Sequence, residues 1–316
     1  MDTLSRLIDL ARPQASLDLR CLLSGAFDID HGREEAGIAP FHLVLDGACV
    51  VETADGAQRA LRAGDFMLFP RGAAHRVRDV QRSAATAPVT QGHDGMLPLR
   101  RNDGQDGARV PADLDLLCGR FVYSPGSSAL LLNALPDPFH VSLGGMETLD
   151  SLQTVIGLMR SEAERRQAGA LAIVTALSNA LLAIALRVHG EQNASASGVL
   201  ALLADARLGA SVQGMLSAPE RAWTIAELGE LAAMSRATYA RHFNERAGMT
   251  VMDFLTQIRM TIACDLLRRT QRSAAEIGEA VGYQSEAAFG KAFQQSVGVP
   301  PGRYRRRPQE NDGAEN

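Results

Sequence analysis

Along residues 16–80, apolar positions recur in short runs that alternate with polar ones and stop at Gly or Asp: LRCLLSGAF, FHLVLDG, ACVVETADG, RALRAGDFMLFP and HRVRDV. A period of two between turn residues predicts antiparallel strands with one buried face. The stretch 81–111, QRSAATAPVTQGHDGMLPLRRNDGQDGARVP, is poor in large apolar side chains and rich in Gly, Asp, Pro and Arg, which predicts a mobile loop. The β pattern resumes in LDLLCGRFVY and LLLNALPDPFHVSL, and from Glu147 the period becomes that of a helix. LDSLQTVIGLMRSEAER and ALAIVTALSNALLAIALRVHG read as amphipathic to wholly apolar helices ending at Gly190, and faces this apolar require a partner surface. The longest apolar stretch, around ALLAIAL at 180–186, is far short of the ~20 residues that cross a bilayer. The opening MDTLSRLIDLARPQ carries Asp2 and Asp9 and no apolar run, so a cytoplasmic chain with no membrane partner is expected. EQNASASG, 191–198, is small and polar and reads as a connection, after which the pattern is helical to Tyr304.

The helical part repeats itself. ELGELAAMSRATYARHF (227–243) returns as EIGEAVGYQSEAAFGKAF (276–293): Ser235/Ser285, Tyr239/Phe289, Arg241/Lys291, Phe243/Phe293 and Gly248/Gly298 are 50 apart, while Glu227/Glu276 and Leu228/Ile277 are 49 apart. One residue gained at the centre of a repeat marks a turn between two elements. Thr224 with Glu227, and Ser273 with Glu276, have the spacing of a capping box, in which side chain and backbone satisfy each other's hydrogen bonds at a helix start. Ser235 and Ser285 are placed to cap a second helix in each copy. The reading is a helix-turn-helix written twice, over 224–246 and 274–297. In such a unit the second helix enters the major groove. Residues on its face away from Tyr239/Phe243 and Phe289/Phe293 are therefore the candidate DNA contacts: Arg236, Ala237, Thr238, Ala240 and Arg241 in the first copy, Glu286, Ala287, Gly290 and Lys291 in the second. Between the copies, MDFLTQIRMTIACDLLRRT allows a helix of roughly 27 Å, enough to hold two recognition helices about one DNA turn apart. Arg268 and Arg269 at its end, with RYRRR at 303–307, are placed to meet phosphate.

Charge sharpens the division. The formal net charge is -4, but residues 205–307 hold 14 Lys and Arg against 10 Asp and Glu, whereas residues 1–204 hold 18 against 23. The basic part is the repeated part, as expected for a polyanion-binding domain on an acidic partner domain. Helical hairpins of similar spacing also occur in all-α domains that bind no nucleic acid. The residues SAAEIGEAVGYQSEAAFGKAFQQSVGVPPGRYR decide between these readings by resemblance: they are similar to the signature of the AraC/XylS transcription regulators. That resemblance implies double-stranded DNA and RNA polymerase as partners. Short side chains at Ala237, Ala240, Ala287 and Gly290 leave hydrogen-bond readout to few residues, with thymine methyl contacts or DNA shape supplying the remainder.

GDFMLFPRGAAH (64–75) has the spacing G-x5-P-x-G-x2-H, and with LLCGRFVY and LLNALPDPFHV it resembles the cupin-type amino-terminal domain found on a subset of these regulators. A cupin enzyme would bring a metal held by H-x-H, a glutamate and a third histidine. This chain offers His42 and His75 but no H-x-H, and no glutamate between His42 and Gly47, so no catalytic residue, metal or other cofactor is expected. A barrel of this size can enclose a small-molecule effector. The apolar helices suit a homodimer interface, and alternatively only cover the barrel.

The four cysteines have no C-x-x-C spacing. Cys49 and Cys264 sit in periodic apolar patterns, like small buried hydrophobes. Cys21 follows Arg20, and Cys118 has Arg120 near it; a neighbouring guanidinium lowers a thiol pKa. The opening MDTLSRLIDLARPQASLDLRC and the CGRF element are similar to regulators of the subset that respond to reactive chlorine species, which implies Cys21 and Cys118 as redox-sensing candidates.

These readings combine into an α+β chain: a cupin-like antiparallel β-barrel sensor at 1–145, a helical dimerisation segment at 146–190, a linker at 191–204 and an all-α DNA-binding domain at 205–308. The expected function is that of a sequence-specific DNA-binding transcription regulator, an activator and not an enzyme, whose amino-terminal domain senses a small ligand or an oxidant. Two alternatives stand beside it: a cupin-fold metalloenzyme, and an architectural DNA-binding protein with an inert barrel.

Overall fold

The computed structural model describes residues 2–81, 89–93, 96–102, 112–124, 126, 130–132, 134–142, 149–165, 167–193 and 197–306. The chain divides into two compact units, one of residues 13–123 and 135–189, the other of residues 1–12, 124–134 and 190–316. The fold is mixed α+β, a curled β domain and a helical domain.

In the β unit the strands are β1 (Gln14–Leu23), β2 (Asp28–His31), β3 (Ile38–Thr53), β4 (Gln58–Arg62), β5 (Asp65–Leu68), β6 (His75–Arg78), β7 (Thr90–His93), β8 (Pro98–Arg101), β9 (Leu114–Val122) and β10 (Phe139–Ser142). The main sheet runs β10-β5-β3-β9-β1-β8-β7, while β2, β6, β3 and β4 form the second layer. Strand β3 belongs to both. Its first half pairs with β5 and β9, and its second half, from Ala48, pairs with β4 and β6. The sequence pattern predicts two strands broken at Gly47, whereas the chain makes one continuous strand that bends there. Gly47 has φ +82°, and a Cβ at this position would sit 1.9 Å from the Asp113 carbonyl oxygen, so the bend requires glycine. Enclosed by the two layers is a core that includes Leu23, Phe27, Val44, Val51, Leu61, Met67, Phe69, Val77 and Leu116.

The expected loop at 81–111 is corrected in part. Strands β7 and β8 lie within it and pair as an antiparallel hairpin, and β8 also pairs in parallel with β1. With so few apolar side chains, their backbone ladder, not a buried face, defines them; β7 is exposed throughout. Residues 82–88, 94–95 and 103–111 lie outside the described residues.

Two helices close the unit, α2 (Leu149–Arg165) and α3 (Ala170–Gln192). Helix α3 corrects the expectation about apolar length: it is 23 residues long and, over a window of 18 residues, apolar enough to cross a membrane by length and composition alone. Alanines carry the pattern beyond ALLAIAL. One third of that window is buried inside the protein, and Ser178, fully buried, donates to the Val174 carbonyl at 2.9 Å.

The helical unit holds α1 (Thr3–Ala11), α4 (Val199–Ala204), α5 (Gly209–Ser217), α6 (Ile225–Leu231), α7 (Arg236–Ala247), α8 (Val251–Arg269), α9 (Ala274–Ala280), α10 (Glu286–Val297) and α11 (Pro301–Arg306). Part of the expected linker is therefore helix: α3 runs to Gln192 and α4 begins at Val199, while residues 194–196 lie outside the described residues. The first twelve residues also belong to this unit rather than to the barrel. Leu7 and Leu10 join a core with Leu130, Leu202, Met215, Tyr239, Phe243 and Phe254. A second core contains Met260, Cys264, Leu267, Ile277, Phe289, Phe293 and Tyr304. Helix α8 supplies residues to both cores, which makes it the spine of the two repeats.

Candidate DNA interface and the cupin site

Each repeat is built from local signals. Thr224 and Glu227 form a capping box at α6, and Ser273 and Glu276 form one at α9. Ser235 and Ser285 accept from the Thr238 and Ala288 amides and start α7 and α10. Those second helices end at Gly248 and Gly298 with φ +71° and +83°, the left-handed cap that favours glycine. The two helices of each unit meet at a further repeated glycine, Gly229 or Gly278; a Cβ on Gly278 would come within 2.9 Å of the Phe289 Cβ.

On α7, Tyr239 and Phe243 are fully buried, leaving Arg236, Ala237, Thr238 and Arg241 exposed and Ala240 half-buried. On α10, Phe289 and Phe293 are buried, leaving Glu286, Ala287 and Lys291 exposed and Gly290 half-buried. The Arg241 side chain is 75% exposed and lies 3.9 Å from Glu245, an i,i+4 pair in water that does little to restrain it. Arg268 is half-buried, its Nε donating to Tyr304 Oη at 3.1 Å and its guanidinium 4.8 Å from the Tyr304 ring centroid, so it ties α8 to α11. Arg269 is exposed, 3.9 Å from Asp265. Arg305 is likewise engaged, donating to the Leu267 and Arg272 carbonyls. Buried Asp205, which the sequence reading did not single out, ties the turn before α5 to α7: it accepts from His242 Nε2 at 2.8 Å and lies 3.3 Å from Arg246 Nε. Burial opposes its ionisation, but hydrogen bonds from Arg207 and His242 hold the carboxyl below its ordinary range.

In the β unit the two candidate thiols lie together. Antiparallel pairing of β1 with β9 sets Cys21 opposite Leu116 and Leu19 opposite Cys118, so the cysteines are diagonal neighbours on adjacent strands. Both lie in one buried core, and the neighbouring Cys21 thiol together with burial pushes the Cys118 thiol well above its ordinary range. The arginines expected to activate them are directed elsewhere. Arg20 makes a two-bond pair with Asp115, at 2.9 and 2.7 Å, and Arg120 donates to Asp18 at 2.8 Å. At rest Cys118 is therefore a protonated buried thiol, which corrects the sequence-based expectation of an activated one. Cys49 and Cys264 are also buried, and burial pushes each up to about 12.

Cys118 faces His42 across the β3–β9 ladder, with its Sγ 3.2 Å from His42 Nδ1. His42 Nε2 in turn lies 2.7 Å from His75 Nε2. His31, absent from the sequence-based candidates, lies directly opposite His75 in the β2–β6 ladder, its ring stacked at 4.7 Å. Burial lowers the pKa of all three: His31 to about 4, His42 well below its ordinary value, and His75 below its own. The hydrogen-bond network assigns the tautomers of the neutral rings. His75 Nδ1 donates to the Ala73 carbonyl at 2.9 Å, which leaves its Nε2 bare. His42 then donates from Nε2 to His75 and accepts the Cys118 S–H at Nδ1. The group opens on a cavity of about 300 Å³ lined in part by Asp30, His31, Glu52, Thr53, His75 and Arg76.

Comparison with known proteins agrees with both halves. Residues 2–191 match the cupin family and residues 228–307 a helix-turn-helix domain family. The chain is 35% identical over 97% of its length, and 99% of the relative's, to an uncharacterized HTH-type transcriptional regulator of Haemophilus influenzae. It is 30% identical, over 97% of this chain and 98% of the relative, to the RCS-specific HTH-type transcriptional activator RclR of Escherichia coli. A putative AraC-like transcription regulator of Streptomyces lividans is 30% identical, over 98% of this chain and 99% of the relative. The chain belongs to the AraC-like family of HTH-type, DNA-binding transcription regulators, in the branch with a cupin amino-terminal domain.

Proposed function

We propose that this regulator is a cytoplasmic, dimeric, non-enzymatic activator in which oxidation of Cys21 and Cys118 changes how its two helix-turn-helix units engage an operator and RNA polymerase. The observation that carries the reading is the pair of buried thiols at diagonal positions on adjacent strands inside the cupin core. Oxidation by hypochlorous acid balances as two thiols and one HOCl giving a disulfide, water and HCl. Diagonal partners lie roughly 7–8 Å apart at Cα, outside the 4.4–6.8 Å of ordinary disulfides, so closing the bond would shift β1 against β9. That displacement is the signal. Mass spectrometry after hypochlorous acid treatment is expected to find Cys21 and Cys118 modified or linked before Cys49 and Cys264; equal modification of all four would overturn the pairing. A small-molecule effector is the second reading, favoured by the cavity of about 300 Å³ beside His31 and His75.

Arg241→Ala is expected to weaken operator binding by about 1–3 kcal/mol if the side chain reads a guanine edge. Arg269→Ala is expected to weaken all sequences alike and make the salt dependence shallower, as removal of a phosphate contact does. Gel-shift titrations at several salt concentrations separate the two, and unchanged affinity in folded Arg241→Ala protein would overturn the groove placement.

The dimer reading rests on exposed Leu158 of α2 and Leu171 and Ile173 of α3, which are 44%, 44% and 41% exposed. A second copy covering that surface would also double the half-sites read on DNA. Replacing Leu171 and Ile173 together by Glu is expected to yield monomers in analytical ultracentrifugation; an unchanged dimer would place the interface elsewhere.

A further inference from the structure

We infer that His31, His42 and His75 form a binding site for a divalent transition-metal ion that favours imidazole ligands, Zn²⁺ in class, at the inner end of the cupin cavity. This goes beyond the thiol reading and does not depend on it. Among the described residues, these three histidines offer one ligand nitrogen each, all within 4.8 Å of one another. They come from three strands, β2, β3 and β6, so the barrel rather than a short motif assembles them. The set differs from the enzyme pattern expected of a cupin: it contains no H-x-H and no carboxylate ligand.

The outer contacts fit ligation. A metal-bound histidine needs its other ring nitrogen held by a hydrogen-bond partner, which fixes the ring's orientation. His75 has this in Nδ1 and the Ala73 carbonyl, at 2.9 Å, and His42 has it in Nδ1 and Cys118 Sγ, at 3.2 Å. Both rings thus turn Nε2 toward the same point, where the two atoms approach to 2.7 Å. Without an ion that approach is satisfied by one shared proton. Nitrogens bonded to Zn²⁺ at about 2.0–2.1 Å in a tetrahedron stand roughly 3.3 Å apart, so the rings need to part by roughly 0.6 Å. His31 is the least buried of the three and borders the cavity together with His75, so it can swing onto the ion as it enters. Three imidazoles leave a fourth position that faces the cavity, open to water or a small ligand. Asp30 is engaged with Arg76 at 2.7 Å, and Glu52 with Arg78 and Gln58, so the nearby carboxylates are committed to arginine and glutamine and not to the cluster.

The test uses the full chain, reduced and stripped with a chelator, and the metal alone. Equilibration with Zn²⁺ followed by desalting and elemental analysis is expected to retain one zinc per chain. Competition with a chromogenic chelator gives the affinity, and Co²⁺ is expected to produce the visible ligand-field bands of a four-coordinate site. His31→Ala, His42→Gln and His75→Gln are each expected to weaken Zn²⁺ binding at least tenfold, and Cys118→Ala by about 10–100-fold through loss of a supporting contact. His93→Gln, away from the cluster, is expected to bind as the parent does. Because His42 and His75 are buried, His31→Ala decides if either of those variants misfolds. Parent affinity in His31→Ala overturns the assignment, as does failure of the unmodified chain to retain zinc. Retention that survives the three histidine substitutions but is lost in Cys21→Ser or Cys49→Ser moves the ion to the cysteines and overturns it equally.

Discussion

Replacing Asp115 by Ala is expected to destabilise the cupin domain by about 3–5 kcal/mol, the cost of removing one partner of a buried ion pair. Arg20 and Asp115 are 4% and 6% exposed and joined by two hydrogen bonds of 2.9 and 2.7 Å. The alanine variant removes the carboxylate that accepts two hydrogen bonds from this buried guanidinium. Asp18→Ala is the internal comparison. It breaks the Arg120 pair, whose side chains are 40% and 30% exposed, and is expected to cost under about 1 kcal/mol because solvent screens that pair. Urea unfolding followed by the β-sheet signal measures both. A loss below about 1 kcal/mol for Asp115→Ala would show that the pair is not desolvated as the structure has it. Substituting both partners at once, Arg20→Met with Asp115→Leu, is expected to recover most of the loss, since no charge then remains buried.

The second large effect is functional. Cys21→Ser and Cys118→Ala are expected to abolish the oxidant response, while Cys49→Ala and Cys264→Ala leave it intact. The first two are diagonal neighbours on the paired strands β1 and β9. Cys264 lies in the second core of the helical unit with Phe289 and Tyr304. Cys49 is the stricter control. It belongs to the same core as the pair, so a response carried by general damage to that core would be altered by Cys49→Ala as well.

What could be read from the sequence follows from how local the physics is. The capping boxes at Thr224/Glu227 and Ser273/Glu276 and the buried Tyr239/Phe243 and Phe289/Phe293 stripes are contained within a few residues, and all were legible. Strand β3 was divided at Gly47 because a glycine after Asp46 has the same signature whether the chain turns or bends. Cys21 and Cys118 could be nominated, but not their surroundings. Arg20 is next to Cys21 in sequence, yet strand alternation sends adjacent side chains to opposite faces, and its charge goes to Asp115. His31 had no local signal at all. It joins His75 only through the β2–β6 register and His42 only through closure of the barrel, both contacts between residues distant in sequence. The contact of Arg268 with Tyr304 of α11 had no local signal for a related reason, since the two residues are 36 apart in sequence. The N-terminal helix was assigned to the barrel by adjacency, whereas Leu7 and Leu10 complete the core beneath the first helix-turn-helix.

We propose that the state of two thiols in the cupin domain sets the DNA affinity of the helix-turn-helix units. Fluorescence anisotropy measures it most directly, using the full chain and an operator duplex located by genome-wide footprinting, with and without hypochlorous acid at fixed salt. The expected result is a change in Kd of about tenfold, a coupling of about 1.4 kcal/mol, present in the parent, Cys49→Ala and Cys264→Ala and absent in Cys21→Ser and Cys118→Ala. An affinity indifferent to oxidant in the parent, or shifted equally in all four variants, would contradict the account.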